Sequence, residues 1–578
     1  MIMNDIVHNF IKLRGEAQKI ARHSDDRMLL SQKFIAGILN SYTLNRQDFP
    51  VKPLINDLTT QMGKLAKSLD FNWAAYLIGT TYTALLPEKF RKAYGAYYTP
   101  PGLVSRLLEL VEKNGIDWSK AKIIDPACGG GAFLAPVARK IANSLSSYDP
   151  IDRLQHIQKH LFGVEIDPFS AWMSRVFIYI SLEDEIKSSK CSPTFSILNE
   201  DSLNIASNVL GKFDLVIGNP PYGKIRLSKS ERKHWERSLY GHANLYGLFS
   251  DLAIRLASKD GTIGYVTPTS FLGGQYFKSL RSLFVKEAPP QYVSFVTQRS
   301  GVFLDALQET LLAVYTKNSK NKNIEVSTTT TQESAYNQVQ YNGNYTLSGA
   351  QGSPWVLPRT PHQALLANGY AAMGTRLIDL GYSVSTGPLV WNRHKERLIS
   401  SYQKGAVPLI WAECVDSSGS GDFSHKSTGR NHVPWYIPKQ DCDPNTLNQP
   451  CVLVQRTTSI EQDRRLVAAV LPSGFLKENG GVVAIENHLN VVRSSPNLSP
   501  VVSLQTIAKL LNSKVVDQIF RCINGSTAVS AYELESIPFP TPQECIGLEK
   551  FLKTNSSSAA INNFIEGLYT NARIKTAA

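Results

Sequence analysis

Between residues 121 and 267, five short runs of apolar and β-branched residues alternate with segments of helical length. The runs are "AKIIDPA" (121–127), "HLFGVEI" (160–166), "TFSIL" (194–198), "FDLVIG" (213–218) and "GTIGYVT" (261–267). Amphipathic stretches such as "PPGLVSRLLELVEK" and "LYGLFSDLAIRLASK" accompany them. Such alternation requires crossover connections, which place successive strands parallel in a sheet covered by helices. Two more runs, "YVSFVT" (292–297) and "TLLAVYT" (310–316), follow without a clear helix between them. They read as an antiparallel hairpin at the sheet edge. The expected fold is α/β, a seven-stranded, mostly parallel, Rossmann-like sheet.

The flanks differ in character. Residues 1–94 carry apolar side chains at helical spacing, among them Ile6, Phe10, Leu13 and Ile20, and predict a helical N-terminal segment. The domain built on this sheet is expected over 95–317. "NSKNKNIEVSTTTTQES" (318–334) is rich in Ser, Thr, Asn and Lys, and predicts a linker or excursion over 318–340. From 341 to 578 strands are short, turn residues frequent, and arginines and aromatics interleaved, so a separate β-rich domain with some late helix is expected.

The ends of the strands carry the chemistry. "IIDPACGGGAFL" (123–134) sets Gly129, Gly130 and Gly131 between a strand and a helix, where the backbone can approach a ligand and free N–H groups face it. Asp125, Glu165 and Asp201 stand at the carboxyl ends of three successive strands, the position where doubly wound sheets bind ligands. A carboxylate at 165 suits the two hydroxyls of a ribose, and one at 201 suits an adenine amino group. Together they describe a nucleoside-shaped crevice.

The fourth strand runs into Asn219-Pro220-Pro221-Tyr222. Prolines cannot continue a central strand, since they donate nothing to the ladder. An aromatic exocyclic amine attacks an electrophilic methyl group poorly while its lone pair is delocalised. Two acceptors aimed at its protons, the Asn219 amide oxygen and the Pro220 carbonyl, favour the tetrahedral form and need no strong base. Tyr222 offers a flat face to a base taken out of a duplex.

A net charge of +13 and a pI near 9.2 favour a polyanionic partner. Six Lys or Arg in "KIRLSKSERKHWER" (224–237) follow the proline motif directly. Lys224, Arg226, Lys229, Arg232 and Lys233 there, with Arg456, Arg464 and Arg465 further on, are the candidate contacts to a nucleic acid. The seven cysteines are scattered without metal-ligand spacing, which fits reduced thiols in a cytoplasmic protein and no bound metal. The start carries no secretory signal, and "WAAYLIGTTYTALL" (73–86) is too short to span a bilayer.

The ordered set "YYTPP", "DPACGGGAFL", "GVEIDP", "NEDSL", "VIGNPPYG", "NLYGLFSDLA" and "GTIGYVTPTSFL" resembles the adenine-N6 DNA methyltransferases of type II restriction–modification systems. The resemblance is to the class whose catalytic domain precedes its target-recognition domain. It implies a methyltransferase sheet that uses S-adenosylmethionine, with Thr99, Asp125, Ala127, Gly129, Glu165, Ile166, Asp201, Ser202 and Asn219 lining the cofactor site. Asn219, Pro220 and Tyr222 would hold an extruded adenine, with Phe303 as a second stacking ring. It also implies double-stranded DNA as partner of the basic candidates, a separately encoded cognate endonuclease, and a bacterial, nucleoid-associated location. Methyltransferases of RNA bases or of protein glutamine amides share the N-P-P-Y motif and remain the alternative, although they tend to lack a large second domain.

Overall fold

The computed structural model describes residues 2–43, 48–94, 98–205, 207–297, 309–330, 338–347, 352–370, 373–416, 421–423, 432–439, 443–458, 462–524 and 527–577. The chain divides into two compact units. The first comprises 1–268 and 279–344, the second 269–278 and 345–578.

The first unit opens with helices α1 (Ile2–Arg22), α2 (Arg27–Thr43), α3 (Asp57–Lys67), α4 (Phe71–Leu85) and α5 (Glu88–Tyr94), as the 3.6-residue spacing predicts. Asn56 and Asp70 cap α3 and α4 through their side-chain oxygens. These helices share one core with the sheet. Phe10, Phe34, Leu77 and Tyr82 belong to the same buried cluster as Ile123, Leu215, Val266 and Leu312. Helix α6 (Pro101–Lys113) follows, with proline at its first position, where a missing N–H costs nothing.

The sheet is built from β1 (Ile123–Asp125), β2 (Leu161–Val164), β3 (Ser196–Leu198) and β4 (Phe213–Gly218). Helices α7 (Leu134–Ser144), α8 (Pro150–His160), α9 (Pro168–Ser181) and α10 (Glu183–Ser189) connect them. The segment after β4 makes a two-stranded ladder, β5 (Lys224–Ile225) with β6 (Ala243–Asn244), around the short α11 (Lys229–His234). Then come α12 (Leu245–Leu256), β7 (Ala257–Pro268), β8 (Pro290–Val296), β9 (Thr310–Thr316), β10 (Asn323–Thr330) and β11 (Gln338–Thr346). The strand order is β11-β10-β8-β9-β7-β4-β1-β2-β3. β7, β4, β1, β2 and β3 run parallel to one another, while β9 is antiparallel to both β7 and β8.

All seven strands expected from the sequence are present, and the β8–β9 hairpin is antiparallel. The sheet has nine strands rather than seven, so that hairpin is not its edge. The stretch read as a linker carries β10, which pairs parallel with β8. Ser327, Thr328 and Thr329 of this strand are buried, and two of them join a hydroxyl ladder: Ser294 Oγ lies 2.6 Å from Thr329 Oγ1, and Ser327 Oγ donates to Ser294 Oγ at 3.0 Å. Threonine tolerates a strand well once its hydroxyl is satisfied.

The second unit holds a four-stranded antiparallel sheet, in the order 382–386, 489–494, 451–455 and 468–471. A five-stranded sheet uses the short strands 398–399, 435–436, 407–410, 483–485 and 446–447. Helices at 270–273, 361–370, 473–478, 504–511, 514–523, 531–535, 542–554 and 558–577 complete it among the described residues, more helix than the sequence predicted.

Candidate active site

A cavity of about 270 Å³ opens at the carboxyl ends of β1, β2, β3 and β4. Asp125, the last residue of β1, is 1% exposed, and its Oδ1 accepts the Ala127 N–H at 3.0 Å. The chain then turns through Gly129 (φ +51°) and Gly131 (φ +84°), a left-handed conformation that costs glycine least. The Gly129 N–H donates to Glu165 Oε2 and the Asp167 N–H to Oε1, each at 2.9 Å. One carboxylate thus ties the turn after β1 to the turn after β2.

Burial pushes Asp125 up to about 8 and Glu165 up to about 7, against the opposing pull of those backbone N–H groups. Each shift reflects the cost of keeping an anion in a dry site. A cationic ligand would relieve that cost.

After β3, Asp201 accepts from Leu203 N at 3.0 Å and caps a short 3₁₀ turn, while Ser202 Oγ donates to the Pro126 carbonyl at 2.5 Å. At the end of β4, a Cβ added to Gly218 would lie 2.6 Å from Asp125 Oδ1, so glycine makes room for the carboxylate. Asn219 follows. Its Nδ2 donates to Thr99 Oγ1 at 3.1 Å, and its Oδ1 accepts the Tyr222 hydroxyl at 2.8 Å. The threonine hydroxyl faces Asn219 and does not cap α6.

All nine residues predicted for the cofactor site, Thr99, Asp125, Ala127, Gly129, Glu165, Ile166, Asp201, Ser202 and Asn219, line this cavity. Pro221 lines it and Pro220 does not. The Tyr222 ring packs edge-on to Tyr246 with centroids 6.2 Å apart, and burial raises its phenol far above the ordinary range. Its hydroxyl therefore holds the Asn219 amide, a contact the sequence did not suggest. Phe303 lies outside the described residues.

Sequence reasoning missed the wall supplied by the N-terminal helices. Tyr82 and Leu86, with Phe90 of α5, line the cavity. The Tyr82 hydroxyl donates to Asp167 Oδ2 at 2.9 Å, and Asp167 caps α9 through the Phe169 and Ser170 N–H groups. Tyr98 fills the space between Gly79 and Gly130, where a Cβ on either glycine would strike its ring. The one signal available was the unusually apolar α4 sequence, which reads only as a stretch too short to span a bilayer.

The comparisons with known proteins agree with this architecture. A family model described as the Eco57I restriction-modification methylase matches residues 159–303. Over 505 residues the chain is 26% identical to type II methyltransferase M.BsuBI of Bacillus subtilis, spanning 84% of this chain and 96% of the relative. It is also 26% identical over 357 residues to type II methyltransferase M.PstI of Providencia stuartii, spanning 59% of this chain and 67% of that one. The chain is similar to type II restriction–modification methyltransferases. Its fold matches that of the type IIL restriction-modification enzyme MmeI, solved in complex with DNA, with a TM-score of 0.55 at 15% identity. That match covers 99% of this chain and 96% of the other.

The basic candidates separate in the structure. Lys224, on β5, lines the cavity itself. Arg226, Lys229, Arg232 and Lys233 are exposed on the excursion between β5 and β6, and Arg232 also donates to the Gly241 carbonyl at 2.9 Å. The second-unit candidates are corrected in part. Arg465 is 1% exposed, with its guanidinium beside Asn524 Oδ1 and over the Phe520 ring, so it is a core residue. Arg456 is half-buried and donates to the Asn487 carbonyl at 3.0 Å. Arg464 is partly exposed. Among the described residues no group of His, Cys, Asp and Glu is arranged to hold a metal, and no helix is long and apolar enough to cross a membrane.

Proposed function

We propose that this chain is a site-specific DNA methyltransferase that moves a methyl group from S-adenosylmethionine to N6 of an adenine turned out of a duplex. The observation that carries the reading is the Asn219 side chain, fixed by Thr99 and Tyr222 on the wall of an acid-lined cavity.

The residues fit the cofactor. It carries a sulfonium and an ammonium group, and Asp125 and Glu165 are buried acids whose charged forms a cation would stabilise. Nothing lies within 4 Å of a Cβ built on Gly129, so the turn leaves room for a ligand. Each Glu165 oxygen already accepts one N–H and keeps a lone pair for a ribose hydroxyl. When bound, the cofactor supplies an electrophilic methyl group.

The chain supplies geometry and charge. Tyr222 uses one lone pair of Asn219 Oδ1 and leaves the other for a proton of the amine. The Pro220 carbonyl is the second acceptor, held still by the two proline rings. Together they draw the nitrogen towards its tetrahedral, nucleophilic form, and its proton leaves after transfer. The exposed cations of the β5–β6 excursion suit DNA phosphates beside this site. A separately encoded endonuclease would complete the restriction–modification pair.

The test is incubation with labelled cofactor and duplex DNA, followed by nucleoside analysis. N6-methyladenine confined to one sequence motif is expected. Label in RNA or in a protein glutamine, with none in DNA, would overturn the reading.

A further inference from the structure

The second unit carries a surface that holds none of the candidate DNA contacts named from the sequence. "WNRHKERLISSYQKG" (391–405) holds four Lys or Arg against one Glu. Its strand 398–399 is the edge of the five-stranded sheet and pairs antiparallel with 435–436. That pairing brings aromatic rings from separate elements together. Tyr402, 64% exposed, meets Trp435 edge-on with centroids 5.0 Å apart. Lys395 Nζ lies over the Trp391 ring at 5.6 Å.

The cations fall into two classes. Arg397 is tied inward: it donates to the Ile437 carbonyl at 3.1 Å and lies near Asp443 and Glu396. Arg393, Lys395 and Lys404 are exposed, and none has a carboxylate partner among the described residues. An edge strand flanked by unpaired cations resists pairing with another chain, yet aromatics interleaved with them add a preference for a polyanion with flat faces. Tyrosine and tryptophan lose little rotamer freedom on contact, and cations next to them meet phosphates without first breaking an ion pair.

Building on the proposed DNA methylation, we infer that Arg393, Lys395 and Lys404, together with Tyr402 and Trp435, form a docking surface for the phosphate backbone of duplex DNA. This surface positions the duplex and does not read its bases. Phosphate contacts carry no sequence information, so its loss weakens binding to every sequence alike.

The test compares wild type with the triple substitution Arg393→Gln, Lys395→Gln, Lys404→Gln, using duplexes with and without the methylated motif across a salt series. Wild-type methylation of DNA is the control: if it is absent, the proposed function fails and the surface falls with it. Given that activity, the triple variant should bind both duplexes on the order of a hundredfold more weakly at 0.15 M salt. Its slope of log affinity against log salt should be shallower by about 0.9 per lost contact. Motif preference, cofactor affinity and thermal unfolding should stay as in wild type. The charge-keeping triple Arg393→Lys, Lys395→Arg, Lys404→Arg should restore the wild-type slope. An unchanged slope in the glutamine variant, or a loss confined to the motif duplex, would overturn the inference.

Discussion

The Tyr222 hydroxyl donates to Asn219 Oδ1 across 2.8 Å, and Asn219 Nδ2 donates in turn to Thr99 Oγ1. The amide plane is therefore set from both sides before any acceptor arrives. Removing one side tests what the orientation contributes. Tyr222→Phe keeps the ring and should lower turnover about fivefold to tenfold, the equivalent of one net hydrogen bond of ~1 kcal/mol. Cofactor affinity should not change. Tyr222→Ala, which also removes the ring, should in addition reduce the 2-aminopurine fluorescence rise that reports base extrusion.

Asn219→Ala removes the acceptor itself. Methyl transfer should fall below detection while cofactor binding stays close to wild type by calorimetry, because Asp125, Glu165 and Asp201 remain in place. Measurable turnover in this variant would show that another group stabilises the amine.

The raised acids give a pH dependence with a definite sign. Asp125 and Glu165 hold protons in the free protein up to about pH 8 and 7, and a cationic cofactor favours their ionised forms. Affinity should therefore strengthen from pH 6 to 9 and then level off, and Glu165→Gln should flatten the lower part of the curve. The free protein should show the opposite trend. Between the ordinary carboxylate range and pH 8 the folded state binds more protons than the unfolded, so its stability declines as pH rises through that window. Thermal unfolding with and without cofactor at each pH measures both.

Tyr82 sits on an N-terminal helix but acts on the site through Asp167. Tyr82→Phe should weaken cofactor binding severalfold and leave the maximal rate unchanged, since the bond supports the turn after β2 and touches no reacting atom. A loss of maximal rate at saturating cofactor would contradict this positioning role.

Arg465 should behave as a core residue. Arg465→Ala strands its buried partners and should destabilise the second unit by about 3 kcal/mol, visible in denaturant unfolding. The salt slope of DNA binding should be unaffected, which distinguishes a folding role from a phosphate contact.

What the sequence made legible was local. Strand β4 matches its predicted span because six apolar-rich residues end at glycine and two prolines, and all nine residues expected at a cofactor site stand at strand ends or turns that line the cavity. What it hid depends on distant partners. "NIEVSTTT" looks like a polar linker until Ser294 and Asn342 are placed against it, the latter donating to Thr328 Oγ1 at 2.7 Å. Arg464 and Arg465 are neighbours in sequence, yet one is partly exposed and the other is sealed. A charge in a string of letters does not report its burial. Likewise, helical spacing announced α4 but not the cavity that it walls.

The shared core of N-terminal helices and sheet sets a limit on cutting this protein down. A fragment beginning at residue 95 would discard Tyr82, Leu86 and Phe90 and leave one side of the cavity open to water. One ending at 317 would strip β10 from β8 and expose Ser294, with the rest of a long strand, to any passing chain. The smallest portable form of the first unit therefore has to carry its leading helices and its last two strands along with it, and motif boundaries drawn on the sequence would cut through both.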